Sequence, residues 1–142
     1  MTNARDIMTG DAQCASTDDS LVDAARKLRD LDVGALPICG DDNRLHGMIT
    51  DRDIVVKCIA GGGDPSSVKV SELAEGKPVT IGADDSVEEA LATMSKHGVR
   101  RLPVIDGHKL VGVVSQADVA RHLPEDKVGD LVEAISSARS NS

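Results

Sequence analysis

The chain repeats itself, and that constrains its fold more than any other feature. Gly34-Ala35-Leu36-Pro37-Ile38 matches Arg100-Arg101-Leu102-Pro103-Val104 at an offset of 66 positions. The same offset aligns Ile7 with Leu73, Ser20 with Ser86, Ala24 with Ala90, Leu28 with Met94 and Val33 with Val99. Further on, Gly47-Met48-Ile49-Thr50 matches Gly112-Val113-Val114-Ser115, and Asp53 matches Asp118 at an offset of 65. The lost residue falls in a turn of both halves, where loops tolerate deletion. A duplicated unit must bury its apolar face against something, and the second copy is the nearest candidate.

Each half reads as β-α-β-β-α. Short first strands are expected near Ala12–Ala15 and Val79–Ile81. Ser20-x-x-Asp23 and Ser86-x-x-Glu89 are capping boxes that open helices with apolar residues at helical spacing: Leu21, Ala24 and Leu28, then Val87, Ala90, Leu91 and Met94. Second strands follow at Leu36–Cys39 and Leu102–Ile105. Turn-rich segments lead from them into third strands at Leu45–Thr50 and Leu110–Ser115. Second helices are expected over Asp51–Ala60 and Gln116–Leu123, and a polar C-terminal helix over Glu125–Ala138. The fold class is α/β in the α+β sense, two repeats packed as one pseudo-two-fold domain. Repeat one covers residues 4–60, a Gly-rich linker 61–69, repeat two 70–123, and a helix with its tail 124–142.

Composition narrows the function. The net charge is −8 over 142 residues, which argues against a nucleic-acid or anionic-membrane partner. The absence of Phe, Tyr and Trp removes the aromatic platforms on which single-stranded bases stack. No apolar run approaches the ~18 residues of a membrane span, and the N-terminus lacks a signal-peptide core, so a cytoplasmic location is expected. No nucleophile–base set or paired catalytic carboxylates stand out, so an enzyme is not expected, and no cofactor is required.

Gly47-Met48-Ile49-Thr50-Asp51-Arg52-Asp53 and Gly112-Val113-Val114-Ser115-Gln116-Ala117-Asp118 share one pattern at a strand-to-helix junction. It is glycine, two apolar residues, a hydroxyl, two variable residues and aspartate. A hydroxyl at Thr50 or Ser115 can donate to a phosphate oxygen beside the partly positive helix start. Asp53 or Asp118 can accept the two hydroxyls of a ribose. Gly47 and Gly112 allow close approach to the strand, and Met48 or Val113 can cover a purine face. The same Thr/Ser-x-x-Asp spacing is also a helix cap that needs no ligand and contributes ~1 kcal/mol.

This doubled motif resembles the CBS-domain family, and the resemblance covers residues 4 to 123, nearest to the small stand-alone bacterial proteins built from one CBS pair (a Bateman module). It implies a regulatory module that binds AMP, ADP, ATP or S-adenosylmethionine in clefts between the repeats, with the first strands (Ala12–Ala15 and Pro78–Ile81) also touching the base. Arg100 and Arg101 replace Gly34 and Ala35 of the first half, so the second half is the better phosphate site.

Of the three cysteines, Cys14 and Cys39 lie on strands that a right-handed crossover sets side by side, and a disulfide there is conceivable. Small apolar core residues are the alternative. Cys58 sits on an apolar helix face. A metal site joining Cys39 to His46 lacks the four protein ligands of structural zinc, and the metal is left unknown. Alternative functions are a redox- or metal-responsive stress protein using Cys14 and Cys39, or a ligand-free interaction scaffold. A homodimer is expected, because helix faces such as Leu21/Ala24/Leu28 with Ile54/Ile59, and Val87/Leu91/Met94 with Val119, exceed what one sheet layer covers.

Overall fold

The computed structural model of the chain describes residues 2–10, 13–74 and 78–136. The helices are α1 (Ala4–Ile7), α2 (Leu21–Leu31), α3 (Asp51–Asp53), α4 (Val70–Leu73), α5 (Val87–His97), α6 (Gln116–Ala120) and α7 (Glu125–Ser136), and a π-helix (Ile54–Ile59) continues α3. The strands are β1 (Thr9–Gly10), β2 (Ala15–Ser16), β3 (Ala35–Cys39), β4 (Leu45–Thr50), β5 (Ile81–Gly82), β6 (Arg101–Asp106) and β7 (Lys109–Ser115). They form two compact units, the first spanning residues 13–78 and the second residues 1–12 with 79–142.

In the first unit the sheet order is β2-β3-β4. β2 runs parallel to β3, and β3 and β4 form an antiparallel hairpin that sets Leu36 opposite Ile49 and Pro37 opposite Met48. Helix α2 starts where Ser20 Oγ accepts the Asp23 N–H at 3.1 Å and Asp23 returns the bond to the Ser20 N–H. It stops at Asp32, which adopts a left-handed conformation with φ of 55°. Between these signals Leu21, Ala24 and Leu28 fall on one face and are buried with Ile38, Ile49 and Ile54. Each such aliphatic side chain contributes roughly 1.5–3 kcal/mol through burial. At the linker, the Asp64 carboxyl is held below the usual carboxylate range by the Ser66 hydroxyl, then by the Ser66 N–H and Ser67.

The second unit repeats this plan around a sheet ordered β1-β7-β6-β5. Ser86 caps α5, Gly98 ends it at φ of 63°, and Val87, Ala90 and Met94 enter a core with Leu102, Val104 and Val114. Helix α7 packs on α5. Arg5 bridges Asp106 and Asp84, and its guanidinium pKa is raised above its ordinary value, chiefly by the Asp106 hydrogen bond.

The spatial units do not follow the sequence repeats. The leading segment of each repeat packs in the unit built by the other. Ala4 N–H donates to Asp85 O and, 66 residues on, Val70 N–H donates to Asp19 O. The bridges Asn3 to Ser86 and Ser20 to Lys69 obey the same exchange. β1 then adds to the edge of β7, with Thr9 opposite Val113 and Gly10 opposite Gly112.

Several elements differ in extent from their sequence reading. The first strands start later, at Ala15 and Ile81, and Ala12 lies outside the described residues. The helix expected over Asp51–Ala60 is three α-helical residues followed by the π-helix, across a run rich in β-branched Ile and Val that crowd a preceding helical turn. Helix α6 ends at Ala120; α7 is described as far as Ser136, and Ser137 and Ala138 of the expected helix lie outside the described residues. Much of the apolar helix surface assigned to a dimer contact lies inside the units instead. Leu21, Ala24, Leu28, Ile54, Val87, Met94 and Val119 are buried, and Ile59 stays exposed.

Candidate functional site

In each unit a β-strand hands its last residue to a helix as the cap. In the first, Thr50 Oγ1 accepts the Asp53 N–H at 2.9 Å, and Asp53 Oδ2 accepts the Thr50 N–H at 3.1 Å. In the second, Ser115 Oγ accepts the Asp118 N–H at 3.2 Å, and Asp118 Oδ2 accepts the Ser115 N–H at 2.9 Å. Both aspartates therefore act as reciprocal caps. Capping uses one lone pair on each hydroxyl and leaves its O–H as a donor. Thr50 and Asp118 are the buried polar residues of the two sites. Helices α3 and α6 are short, so the macrodipole adds little here.

The second carboxylate oxygen separates the two copies. Asp118 Oδ1 accepts Arg121 Nη1 at 3.0 Å, and Asp118 O lies 3.0 Å from His122 Nδ1. Asp53 Oδ1 lies 3.3 Å from Lys57 Nζ. Register decides between the two arginines of the second copy. Arg101 opens β6 directly across from Ser115, so the two side chains share a sheet face. That face is opposite the one on which Leu102, Val104 and Val114 enter the core. Arg100 precedes the strand, is exposed, and presents its carbonyl to the Gln116 N–H at 2.7 Å. In the first unit the residue across from Thr50 is Ala35. The second copy therefore gathers Arg101 and Arg121 near its capped strand end, where the first has Lys57 beside its aspartate and Arg52 in α3.

Met48 and Val113 are half-buried on the same faces, opposite Pro37 and Pro103. The two motif glycines serve the chain's own packing. A Cβ on Gly112 would lie 2.5 Å from Met8 Sδ and 2.7 Å from Thr9 O, and one on Gly47 would lie 3.0 Å from Ala74 Cβ. The space that the glycines leave is filled by the exchanged leading segments, a role visible only once β1 is seen against β7. Gly112→Ala is expected to cost about 1–3 kcal/mol, as overpacking does, and to speed amide exchange at Gly10. Wild-type melting and exchange in this variant would show that Met8 and Thr9 are not held there.

Cys14, just ahead of β2, is disulfide-bonded to Cys39 at the end of β3, with the Cα atoms 5.7 Å apart. Cys58 is a buried free thiol among Leu28, Ile49 and Ile54. The His46 ring lies over Gly40, where a Cβ would come 2.7 Å from Nε2. Cys39 is consumed by the disulfide, and among the described residues no three His, Cys, Asp or Glu side chains gather closely enough to share a metal ion. No described helix is long and apolar enough to cross a membrane.

Comparison with known proteins agrees with this architecture. The CBS domain family model matches residues 4–59 and again 70–125. Hypoxic response protein 1 of Mycobacterium tuberculosis is 51% identical over 137 residues, covering 96% of each chain. The crystal structure of Hypoxic Response Protein I with two coordinated zinc ions superposes with a TM-score of 0.81 at 52% identity, over 87% of this chain and 100% of that one. The crystal structure of CBSX2 in complex with AMP superposes with a TM-score of 0.75 at 25% identity, over 86% of this chain and 96% of that one. With two matched copies spanning most of its length, the chain belongs to the CBS-domain family as a tandem pair.

Proposed function

We propose that the protein is a non-enzymatic regulatory module that binds an adenosyl ligand (AMP, ADP, ATP or S-adenosylmethionine) and acts on a partner protein in trans. The observation that carries this reading is the duplicated hydroxyl–carboxylate cap at a strand end, with Arg101 across from it in the second copy. Asp53 or Asp118 accepts the ribose hydroxyls with lone pairs left over from capping. Thr50 or Ser115 donates to a phosphate oxygen, and Met48 or Val113 supplies aliphatic cover for a purine in a chain without aromatic rings. The AMP complex of the CBSX2 relative supports the ligand class. A thermal-shift panel of AMP, ADP, ATP, S-adenosylmethionine and NAD tests it. A ligand at 100 times its Kd stabilises by about 2.7 kcal/mol. A flat response to all five at millimolar concentration overturns the reading.

The two copies are not equivalent. Arg101 and Arg121 favour phosphate in the second, whereas the first carries Ala35 and Val56 at the corresponding positions. The double change Arg100→Gly with Arg101→Ala, which installs the first repeat's residues, is expected to weaken ATP at least tenfold more than adenosine. Equal losses in a titration would assign the arginines to packing or surface charge. The protein is further proposed to be a homodimer, with a mass in light scattering near twice the 14.8 kDa of one chain.

A second reading rests on the bond between Cys14 and Cys39. In it the protein answers redox change through the stability of the first unit. Thiol counting on native protein separates the two states: one reactive thiol after denaturation marks the disulfide form, and three mark the reduced form.

A further inference from the structure

We infer that Arg121 competes with the ribose for Asp118 and thereby restricts the second copy to adenosyl ligands that carry phosphate. This deepens the adenosyl reading and rests on it. Both oxygens of the Asp118 carboxylate are engaged by the chain itself. Oδ2 accepts the Ser115 N–H at 2.9 Å, and Oδ1 accepts Arg121 Nη1 at 3.0 Å. The first bond is the helix cap. The second sits on the oxygen that the cap leaves over, so a ribose hydroxyl arriving there meets a guanidinium already in place.

The two partners are held very differently. The Asp118 side chain is 12% exposed and that of Arg121 is 68% exposed. Asp118 is fixed by its packing and its cap, whereas Arg121 stands on a solvated stem. An ion pair with one partner this exposed holds weakly, so a ligand can displace it. Arg121 follows Asp118 by three residues, at the C-terminal end of α6, and helical side chains lean toward the helix start. Its guanidinium therefore reaches back toward Ser115, whose hydroxyl is the proposed phosphate donor, with Arg101 across from Ser115 on β6.

That placement sets the selectivity. A phosphorylated ligand takes Asp118 with its ribose and offers the released Arg121 a phosphate, to which a guanidinium can make paired, charge-assisted bonds. Adenosine displaces Arg121 and offers it nothing. S-adenosylmethionine brings a sulfonium and an ammonium beside two arginines. A charge left unpaired by the wrong ligand is a means of rejecting it. In the first copy Val56 stands where Arg121 does, and the contact to Asp53 Oδ1 comes from Lys57 Nζ at 3.3 Å. An ammonium is a point charge without the guanidinium's fork. His122, at the position of Lys57, turns its Nδ1 to the Asp118 carbonyl and not to the carboxylate. The exchange thus belongs to the second copy.

Amide-resolved titration of the full-length protein with adenosine, ATP and S-adenosylmethionine, read at Ser115 and Asp118, tests the inference in wild type, Arg121→Ala and Arg121→Lys. Circular dichroism checks that the variants fold. Arg121→Ala is expected to bind adenosine about two- to fivefold more tightly, the affinity equivalent of an exposed ion pair, and ATP at least roughly tenfold more weakly, the equivalent of a lost charge-assisted bond. S-adenosylmethionine should follow adenosine, and Arg121→Lys should lie between wild type and Arg121→Ala. Opposite signs for adenosine and ATP are what a merely structural arginine would not produce. Losses for both ligands, or unchanged affinity for both, overturn the exchange and leave the adenosyl reading standing. Wild-type response to these ligands at Thr50 and Asp53 alone also overturns it, and silence at both strand ends overturns the adenosyl reading with it.

Discussion

Reduction of the bond between Cys14 and Cys39 is expected to lower the stability of the protein by about 3–4 kcal/mol in the chain-entropy description of a cross-link. The two residues are 25 positions apart and enclose all of α2 and most of β3. Without the bond, β2 is held by two parallel pairings to β3, Ala15 with Ile38 and Ser16 with Cys39, and by local contacts. One contact is Lys27, whose Nζ donates to the Cys14 carbonyl at 3.1 Å and to Asp19 at 2.9 Å. At roughly 2–4 °C per kcal/mol for a chain of this size, the melting temperature drops by about 6–16 °C. Cys14→Ser should reproduce the drop and become insensitive to reductant. The second repeat offers an internal reference, because Thr80 and Ile105 stand where the cysteines do and its unit holds together without a cross-link. Equal melting of oxidised and reduced protein would remove the redox reading.

Asp118→Ala is expected to act twice, on the fold and on the ligand. Asp118 is 8% exposed, and its carboxylate accepts from the Ser115 N–H and from Arg121. Truncation strands that N–H and frees the guanidinium, at about 1.5–3 kcal/mol for hydrogen bonds to a charged group. The same carboxylate is the proposed ribose acceptor, so adenosyl affinity should fall by a further 10- to 150-fold, the equivalent of that energy at ~1.4 kcal/mol per tenfold. Asp118→Asn keeps one acceptor oxygen and should fall between the two. If the variant loses stability but binds at wild-type affinity once correction is made for unfolding, the aspartate is a cap and nothing more.

The architecture was legible in the sequence wherever the signal is local. Ser20, Thr50, Ser86 and Ser115 each cap the helix their spacing announces, because a side chain reaching three residues ahead depends on neighbouring residues alone. The hairpins β3–β4 and β6–β7 follow from short apolar runs with turn-forming segments between them. Long-range features were hidden. Ile7 and Leu73 could be aligned, but the exchange of the segments that hold them depends on Asp85 and Asp19, far away in sequence. Strand β1 is two residues with no alternation to detect, and its presence is what makes Gly112 obligatory. At the candidate site the residue types could be read, but the choice between Arg100 and Arg101 could not. That choice turns on a β-register that flips every side chain when it slips by one. The surplus of the first repeat's helices could be seen in outline. That it comes down to Leu31, Val55, Val56 and Ile59 required knowing which residues the core had already taken.

An amide-resolved NMR titration of the full-length protein with AMP and with ATP is the most direct test of the adenosyl-sensor reading. Saturable shifts are expected at Thr50 and Asp53, at Ser115 and Asp118, or at both pairs. ATP should produce the larger response at Arg101, and the Gly40 to Arg44 hairpin should stay still. No shifts at millimolar nucleotide, or saturable shifts confined to residues away from both strand ends, would contradict it.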